Sequence, residues 1–463
     1  MYMKKSSRNP FIYLDIMSIV MLLLSLSSLI IIAFEGIVAP IFLFIVMFIF
    51  GLLLIILFSK DELLIKLKLF LFFFSSFLLY ALVNHYILIN LYPNLPPFQF
   101  GVFSDESVYY HFSNLAMPYI SGEKIFIDIF NVFEIHESVL HTIFSASIAY
   151  FSTIIDGENT IIVQKILSPF LGGILSVILY ATLKYQFTDR IFALKSTIVY
   201  VLFSAVFIYS TAIMRDIDIA LLYMMFIYLF IQKNNFINFI LLLLVAFSTI
   251  YIRVESGMVL FALILLYSHL YVRNVQNKSI KFIFYIFVGI LFSIIILGMY
   301  GRIIEMIIHI NDANTTRGIA QSSSGSISLL FNKLPFPLSA IVKVLFGQMQ
   351  PFPFFLLIER PPEAISGIFW PFIFLMMIYA IIKKTIRIHI DVKVKYLLIV
   401  AIGILFLMSS EPVARRMMSV YPIIYIVSLY TFYILPNYVI KRLFYYYFFI
   451  IVVLNTVYYF IKT

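Results

Sequence analysis

The segment "IVAPIFLFIVMFIFGLLLIILF", residues Ile37–Phe58, sets the class of this protein. It carries no charged residue over a length that a helix needs to cross a bilayer. Similar segments recur along a chain that is 63% hydrophobic and only 12% charged, with a mean hydropathy of +1.06. Soluble domains carry about a quarter charged residues, so this composition excludes a soluble globule. A helical membrane protein is predicted, since a barrel would show short alternating strands.

Apolar segments on both sides of Ile37–Phe58 predict an all-α, polytopic transmembrane fold with about thirteen spans. We interpret residues 1–463 as a single transmembrane domain, because no internal repeat divides the chain into halves. The predicted spans are Phe11–Phe34, Ile37–Phe58, Leu67–Leu91, Ile161–Leu183, Ser196–Ala212, Ile217–Ile231, Phe236–Ile252, Gly257–Val272, Phe282–Tyr300, Phe369–Ile382, Tyr396–Met408, Tyr421–Leu435 and Phe444–Ile461.

The basic residues orient these spans. The net charge is +10, and in a membrane protein it mostly marks cytoplasmic turns, so we expect no nucleic-acid partner. The N-terminus has a basic start without a cleavage site and is interpreted as a retained first span. The chain has no cysteine, which excludes disulfide and thiolate chemistry. The cations that place the N-terminus and the second turn in the cytoplasm are Lys4, Lys5, Arg8, Lys60, Lys66 and Lys68.

Two large loops are then predicted to face outward. Residues 92–160 form the first extracytoplasmic loop, residues 301–365 the second, and residues 366–463 the C-terminal transmembrane helices. The segment Glu137–Ile155 is barely long enough to span and contains several hydroxyl residues. If it crossed the membrane, the cations after the next span would face outward. We therefore predict an interfacial helix there.

The first loop holds the clearest candidate for chemistry, "SDESVYYHFSNLA", residues 104–116. An acidic pair beside a span, Asp105 and Glu106, can take a proton from a hydroxyl group or hold a divalent metal. The same letters also describe an ordinary helix start, with Ser104 as the cap and two acids at the positive end of the helix dipole. The two readings do not exclude each other.

Other ionisable residues gather at the same predicted face and avoid the helix centres, which suits chemistry at the lipid–water boundary better than transport. "HESVLH" is not a zinc helix, because His136 and His141 are five residues apart and the zinc motif needs four. The outward-facing groups are Arg215, Asp216, Asp218, Arg253, Glu255, Arg302, Arg317, Lys333, Lys343, Arg360, Arg415 and Arg416.

The motif "SDESVYYHFSNLA", followed by "SGEK", resembles the first-loop signature of the GT-C superfamily of membrane glycosyltransferases, which includes protein mannosyltransferases and aminoarabinose transferases. "VLFSAVFIYSTAIMRDIDIALLYMMFIYLFI" is similar to the family's next hairpin, and "EPVARRMMSVYPIIYIVSLY" resembles its late outward turn. The likeness covers residues 100–271 well and the C-terminal part loosely. Two extra spans precede the usual first one, and Arg215 stands where a proline commonly precedes the second acid.

The resemblance implies a sugar donor on a polyprenyl phosphate, a glycan or lipid acceptor, and contact with membrane lipids. Asp105 would be the general base, and Glu106 and Asp216 would orient it. Asp105 and Asp216 are also candidates for a divalent metal, Mg²⁺ or Mn²⁺. The expected location is the plasma membrane, the inner membrane of a bacterium, with an extracytoplasmic active site.

Four arginines are candidates for the donor phosphate, because a guanidinium fork suits phosphate oxygens. Arg415 and Arg416 come first, although they would also serve as head-group anchors; Arg302 and Arg253 are weaker. Tyr109, Tyr110 and His111 are candidates for binding the substrate, with a packed or interfacial histidine as the alternative for the last.

Two other functions remain open. A repeat-unit polymerase for a surface polysaccharide, such as O-antigen or capsule, has a similar size and two large outward loops. A lipid-linked sugar flippase or other transporter would predict an internal repeat and charges near mid-membrane. Neither feature is present in the sequence.

Overall fold

The computed structural model describes residues 10–58, 61–101, 104–129, 138–273, 276–298, 301, 334–335, 338–347, 361–407 and 417–462. Every regular element among these residues is helical, which confirms the predicted all-α fold. Contacts divide the chain into two compact units, Met1–Met225 and Phe226–Thr463, where the sequence predicts one transmembrane domain.

Among the described residues, the first unit contains four helices of 20 or more residues and several shorter ones. Its helices are α1 (Pro10–Phe34), α2 (Ala39–Phe58), α3 (Leu63–Leu91), α4 (Asp105–Ile120), α5 (Val139–Asp156), α6 (Ile161–Gln164), α7 (Leu167–Phe187), α8 (Arg190–Phe203), α9 (Ala205–Tyr209) and the start of α10 (Asp216–Ile231). A 3₁₀ turn, Phe126–Asp128, lies between α4 and α5.

The second unit contains the hydrophobic hairpin α11 (Phe236–Ile252) and α12 (Val254–Arg273), then α13 (Lys278–Gly298) and α14 (Leu338–Gly347). It ends with α15 (Pro361–Ile382), α16 (Lys384–His389), α17 (Val392–Leu407), α18 (Tyr421–Ile434) and α19 (Asn437–Lys462). Trp370 of α15 stacks on Tyr421 of α18 at 3.8 Å, and Thr431 donates to the Met376 carbonyl at 2.9 Å. These two helices therefore run parallel.

Within the described ranges, eight helices are long and apolar enough to cross a membrane. The apolar helices Phe236–Ile252, Lys281–Ile294 and Tyr421–Ile434 are shorter. Membrane-spanning character is thus supported, and the number of about thirteen crossings stays a prediction. The eight are Tyr13–Phe34, Ala39–Phe58, Leu63–Leu91, Val139–Asp156, Ile161–Phe187, Val254–Arg273, Pro362–Ile382 and Asn437–Val457.

The core of the first unit is built on α3, which packs against α1 and α7. Phe70 and Phe74 of α3 are fully buried and meet Phe170 of α7 edge to face at about 6 Å. A Cβ atom at Gly172 of α7 would lie 2.7 Å from Phe77 and would also collide with Ser210. Small residues at this contact therefore let the helix backbones approach closely, as is common between membrane helices.

The α3–α7 pair carries charged clusters at its two ends and apolar side chains between them. At the end where α3 begins, the Glu62 carboxylate lies 3.7 Å from Lys184 and 3.5 Å from Arg190. At the other end, Lys165 donates to the Pro97 carbonyl at 2.7 Å. The two helices are therefore antiparallel. The turn before α3 and the turn after α7, which the basic residues predict to be cytoplasmic, lie next to each other.

Both ends of helix α5 lie at the end of the α3–α7 pair where Lys165 is found. The Asp156 carboxylate accepts the Val38 and Ala39 amides, at 2.9 and 3.0 Å, where α2 begins. Ser138, before α5, accepts a hydrogen bond from Arg215, before α10. Helix α5 is itself long and apolar enough to cross a membrane, and its interfacial placement stays a prediction.

The segment Ser196–Ala212, predicted as one span, is divided in the structure. Helix α8 ends at Phe203, and Ser204 is extended, with φ −112° and ψ 172°. Its hydroxyl oxygen accepts the Val206 amide at 3.2 Å and so begins the short helix α9. The prediction of one continuous helix was wrong because the serine side chain satisfies a backbone amide that the helix would otherwise need.

Candidate functional site

Three helices begin close together at one end of the first unit, and their first residues carry the polar groups of interest. Asp105 and Glu106 lie in the first turn of α4, and Asp216 and Asp218 in the first turn of α10. Acids at these positions favour helix formation, because the N-terminal end of a helix carries a partial positive charge. Helix α5 begins at Val139, and His141 faces the same region.

Glu106 is completely buried and is held from several directions. Its carboxylate accepts the backbone amides of Gln99 at 2.5 Å and Ile213 at 3.2 Å. The ammonium of Lys165, itself completely buried, lies 3.9 Å away. Glu106 therefore joins the start of α4 to the turn before α10 and to α7. This geometry suits a residue that positions the site.

Tyr109 stands at the centre of the group. It is 2% exposed, and the Arg215 guanidinium lies over its ring at 5.9 Å. Burial is the main cause that raises the pKa of the Tyr109 hydroxyl. The charge of Arg215 lowers this pKa, and those of Asp216 and Asp105 raise it. The two acids that the sequence predicts as partners thus lie close enough to act on one phenol, which stays protonated at neutral pH.

The two acids differ in accessibility. Asp105 is half-buried, whereas Asp216 is only 6% exposed. A base must reach a substrate, so the more accessible carboxylate is better suited to take a proton. The buried Asp216 is better placed to act through its charge on Tyr109.

His141, which the sequence analysis considered only in excluding a zinc helix, belongs to this group. His141 is 1% exposed, and its Nδ1 lies 2.7 Å from the Asp218 carboxylate. Its ring meets that of Tyr109 edge to face at 4.8 Å. The sequence shows that Asp216 and Asp218 lie close together at a turn. It does not show that Asp218 pairs with His141, 77 positions earlier in the chain.

The other two predicted substrate-binding residues are placed differently. The Tyr110 hydroxyl donates to the Asn159 carbonyl at 2.7 Å, so this side chain ties α4 to the end of α5. Partial burial raises the pKa of Tyr110. His111 is exposed, with its ring 6.1 Å from that of Phe112. The structure therefore brings only Tyr109 of this trio into the group.

The predicted phosphate-binding arginines fall into two sets. Arg302, Arg415 and Arg416 lie outside the described residues. Arg253 belongs to the second unit, where it follows α11 and its Nε lies 3.3 Å from the Glu255 carboxylate. The half-buried cation that acts on Tyr109 together with Asp105 and Asp216 is Arg215, which the sequence analysis placed at an outward turn without a role.

The predicted metal role of Asp105 and Asp216 stays a prediction. In the part of the chain that the structure describes, no group of three or more His, Asp and Glu side chains could hold a metal ion. Mg²⁺ often binds through only one or two carboxylates together with water and substrate phosphate. Such a site would draw its remaining ligands from outside the protein.

No protein-family model matches this chain, and no curated protein or solved structure shows significant similarity to it. The function of the protein is therefore inferred from its own residues.

Proposed function

We propose that this protein is an integral membrane glycosyltransferase. It transfers a sugar from a polyprenyl-phosphate donor to a glycan or lipid acceptor at the extracytoplasmic face. The observation that carries the proposal is the group around Tyr109. The Arg215 guanidinium lies over its ring, and the charges of Asp105 and Asp216, 111 residues apart in sequence, act on the same hydroxyl group.

The chemistry of the transfer fits this set of residues. A new bond forms between the acceptor oxygen and the anomeric carbon, and the anomeric carbon–phosphate bond breaks. A base must take the proton of the acceptor hydroxyl group, and cations must stabilise the phosphate that leaves. Asp105 is the proposed base. Arg215 joins Arg415 and Arg416 as a proposed phosphate contact, since a guanidinium stays charged at any working pH.

The position of the group also supports the proposal. It lies at one end of the α3–α7 pair, away from the apolar middle of the helices. A polyprenyl phosphate keeps its tail among lipid chains and its head group at the boundary with water. A site at the end of a bundle meets such a donor without moving a charge through the bilayer.

The test is the substitution Asp105→Asn, which removes the base and leaves the size of the side chain unchanged. We expect transfer from polyprenyl-phosphate-linked sugars to fall at least about a hundredfold, the usual contribution of a general base. Purified protein is incubated with labelled polyprenyl-phosphate sugars and with glycan or lipid acceptors, and the labelled product is measured.

The matched control is Asp128→Asn, another half-buried carboxylate in the same loop. It should keep wild-type transfer. Wild-type turnover in Asp105→Asn would remove Asp105 as the base. Absence of transfer by the wild-type protein from every donor would contradict the proposed function itself.

A further inference from the structure

The His141–Asp218 pair leaves the second ring nitrogen of the histidine, Nε2, without a contact to the carboxylate. The Asp218 carboxylate, 4% exposed, lies 2.7 Å from His141 Nδ1 and accepts a hydrogen bond from it. In the neutral ring, a proton fixed at Nδ1 leaves a lone pair at Nε2. With the ring neutral, the pair therefore offers a hydrogen-bond acceptor whose position Asp218 fixes.

This acceptor has no partner among the described residues. His141 Nε2 is buried and makes no hydrogen bond there. A buried polar atom without a partner is unfavourable, and most such atoms in proteins are satisfied. The atom is thus suited to meet a donor that the described part of the chain does not supply.

The acceptor belongs to the group around Tyr109. The ring centroids of His141 and Tyr109 are 4.8 Å apart. The charges of Asp105, Asp216 and Arg215 act on the Tyr109 hydroxyl group. His141 thus contacts Asp218 of α10 directly and, through the Tyr109 ring of α4, adjoins the group on which these charges act. The acceptor and the proposed base Asp105 therefore both neighbour Tyr109.

The surroundings select the chemistry of that ligand. A phosphate group offers mainly acceptor oxygens, which cannot satisfy the lone pair at Nε2, and the Asp218 carboxylate that holds the ring repels it. A sugar hydroxyl group is neutral and donates a hydrogen bond. We propose that His141, held by Asp218, binds a hydroxyl group of the sugar that is transferred. This inference rests on the proposed function and adds a substrate-binding residue to it.

Two substitutions of His141 separate this role from a structural one. His141→Asn places an amide nitrogen near the position of Nδ1, which keeps the bond to Asp218 and removes the acceptor. His141→Gln reaches the position of Nε2 and supplies an amide oxygen there. We expect kcat/KM for transfer to fall roughly tenfold in His141→Asn, the usual worth of one hydrogen bond, and much less in His141→Gln.

A merely structural role gives the opposite order, because Asn keeps the contact with Asp218. The matched controls are His269→Asn and His269→Gln, at an exposed histidine on α12, which should keep wild-type transfer. Thermal unfolding of every variant identifies any that fails to fold.

A second measurement does not depend on transfer. Binding of polyprenyl phosphate alone is compared with binding of polyprenyl phosphate that carries glucose, mannose or N-acetylglucosamine, in lipid nanodiscs. The tighter binding that the sugar gives should be lost in His141→Asn and retained in His141→Gln.

The outcomes are distinct. Transfer and binding that are unchanged in His141→Asn overturn the inference and leave the proposed function standing. Sugar-dependent binding with this pattern, without transfer to any acceptor, supports the inference and contradicts the transferase. If wild-type binding does not depend on the sugar, with or without transfer, the inference is wrong.

Discussion

Asp105 and Glu106 are adjacent in sequence, but they differ in how far each carboxylate is buried, and this difference suits them to different roles. Asp105 is half-buried in the first turn of α4, whereas Glu106 is completely enclosed by two backbone segments and Lys165. An enclosed carboxylate that is fully hydrogen-bonded cannot easily reach a substrate. The chemical role that the sequence assigns to the pair is therefore better assigned to Asp105 alone.

Glu106→Gln should destabilise the protein strongly. The amide would direct an N–H group at backbone N–H donors, and it would leave the buried Lys165 ammonium without a countercharge. We expect a loss of about 3 kcal/mol in the free energy of unfolding, the usual effect of breaking a buried ion pair. Unfolding of the purified protein in detergent, followed by intrinsic fluorescence, measures it.

Two further variants make this result specific. Glu106→Gln combined with Lys165→Met should recover part of the loss, because the unpaired buried cation is gone. Glu123→Gln, at an exposed position of the same loop, should change stability by less than about 0.5 kcal/mol. If Glu106→Gln stays as stable as wild type but loses transfer, then Glu106 has a chemical role.

At the scale of helices, α5 is held at both ends by polar contacts with other helices. The Asp156 carboxylate accepts the first amides of α2, and Ser138 accepts from Arg215 before α10. The first amides of a helix have no partner within it. Asp156 therefore acts as the cap of a helix far away in sequence.

Asp156→Ala should lower the free energy of unfolding by about 1–2 kcal/mol, since two backbone amides lose a charged acceptor. Asp189→Ala removes a cap within one helix, where the carboxylate accepts the Ile191 and Phe192 amides, and serves as the comparison. Proteolysis of the membrane-embedded protein should expose the α4–α5 region in the first variant only. Equal protection of that region in both variants would contradict a role in docking α5.

The sequence predicted which segments are helical better than it predicted what they touch. The segment Phe236–Ile252 is a helix with the predicted bounds, because a mostly apolar run ends at polar residues on both sides. It is shorter than the helices that are long enough to cross a membrane. Hydropathy carries no information on the break at Ser204, where one hydroxyl group decides the local backbone. Nor does it indicate the His141–Asp218 pair, since its two members come from helices whose contact depends on the whole unit.

At the scale of the whole molecule, the basic residues predict which ends of the helices face the cytoplasm. In the first unit, the structure is consistent with that pattern, because Glu62 meets Lys184 and Arg190 at one end. The candidate site lies at the other end, where α4, α5 and α10 begin. The predicted extracytoplasmic site thus follows if the charge rule holds.

Because the chain contains no cysteine, single introduced thiols can report which side of the membrane each loop faces. Single substitutions Glu123→Cys, Glu158→Cys and Thr385→Cys place one thiol each at exposed positions. In intact cells, an impermeant maleimide should label the first two, which flank α5. The third, in a predicted cytoplasmic turn, should react only after permeabilisation.

The Glu158→Cys result decides the placement of α5. An interfacial helix leaves residues 123 and 158 on the same side of the membrane. If α5 crosses, residue 158 is protected in intact cells while residue 123 is labelled. That result would also put the cations after α7 on the outside, against the charge rule.

The Asp156 cap has a consequence for biosynthesis. Its partner amide at Val38 lies 118 positions earlier in the chain. At about 5–20 residues per second, the ribosome needs roughly 6–24 s to make the intervening polypeptide. During that interval α2 has left the exit tunnel with its first amides unmet, so the order of synthesis requires water, lipid head groups or the insertion machinery to satisfy them until α5 arrives.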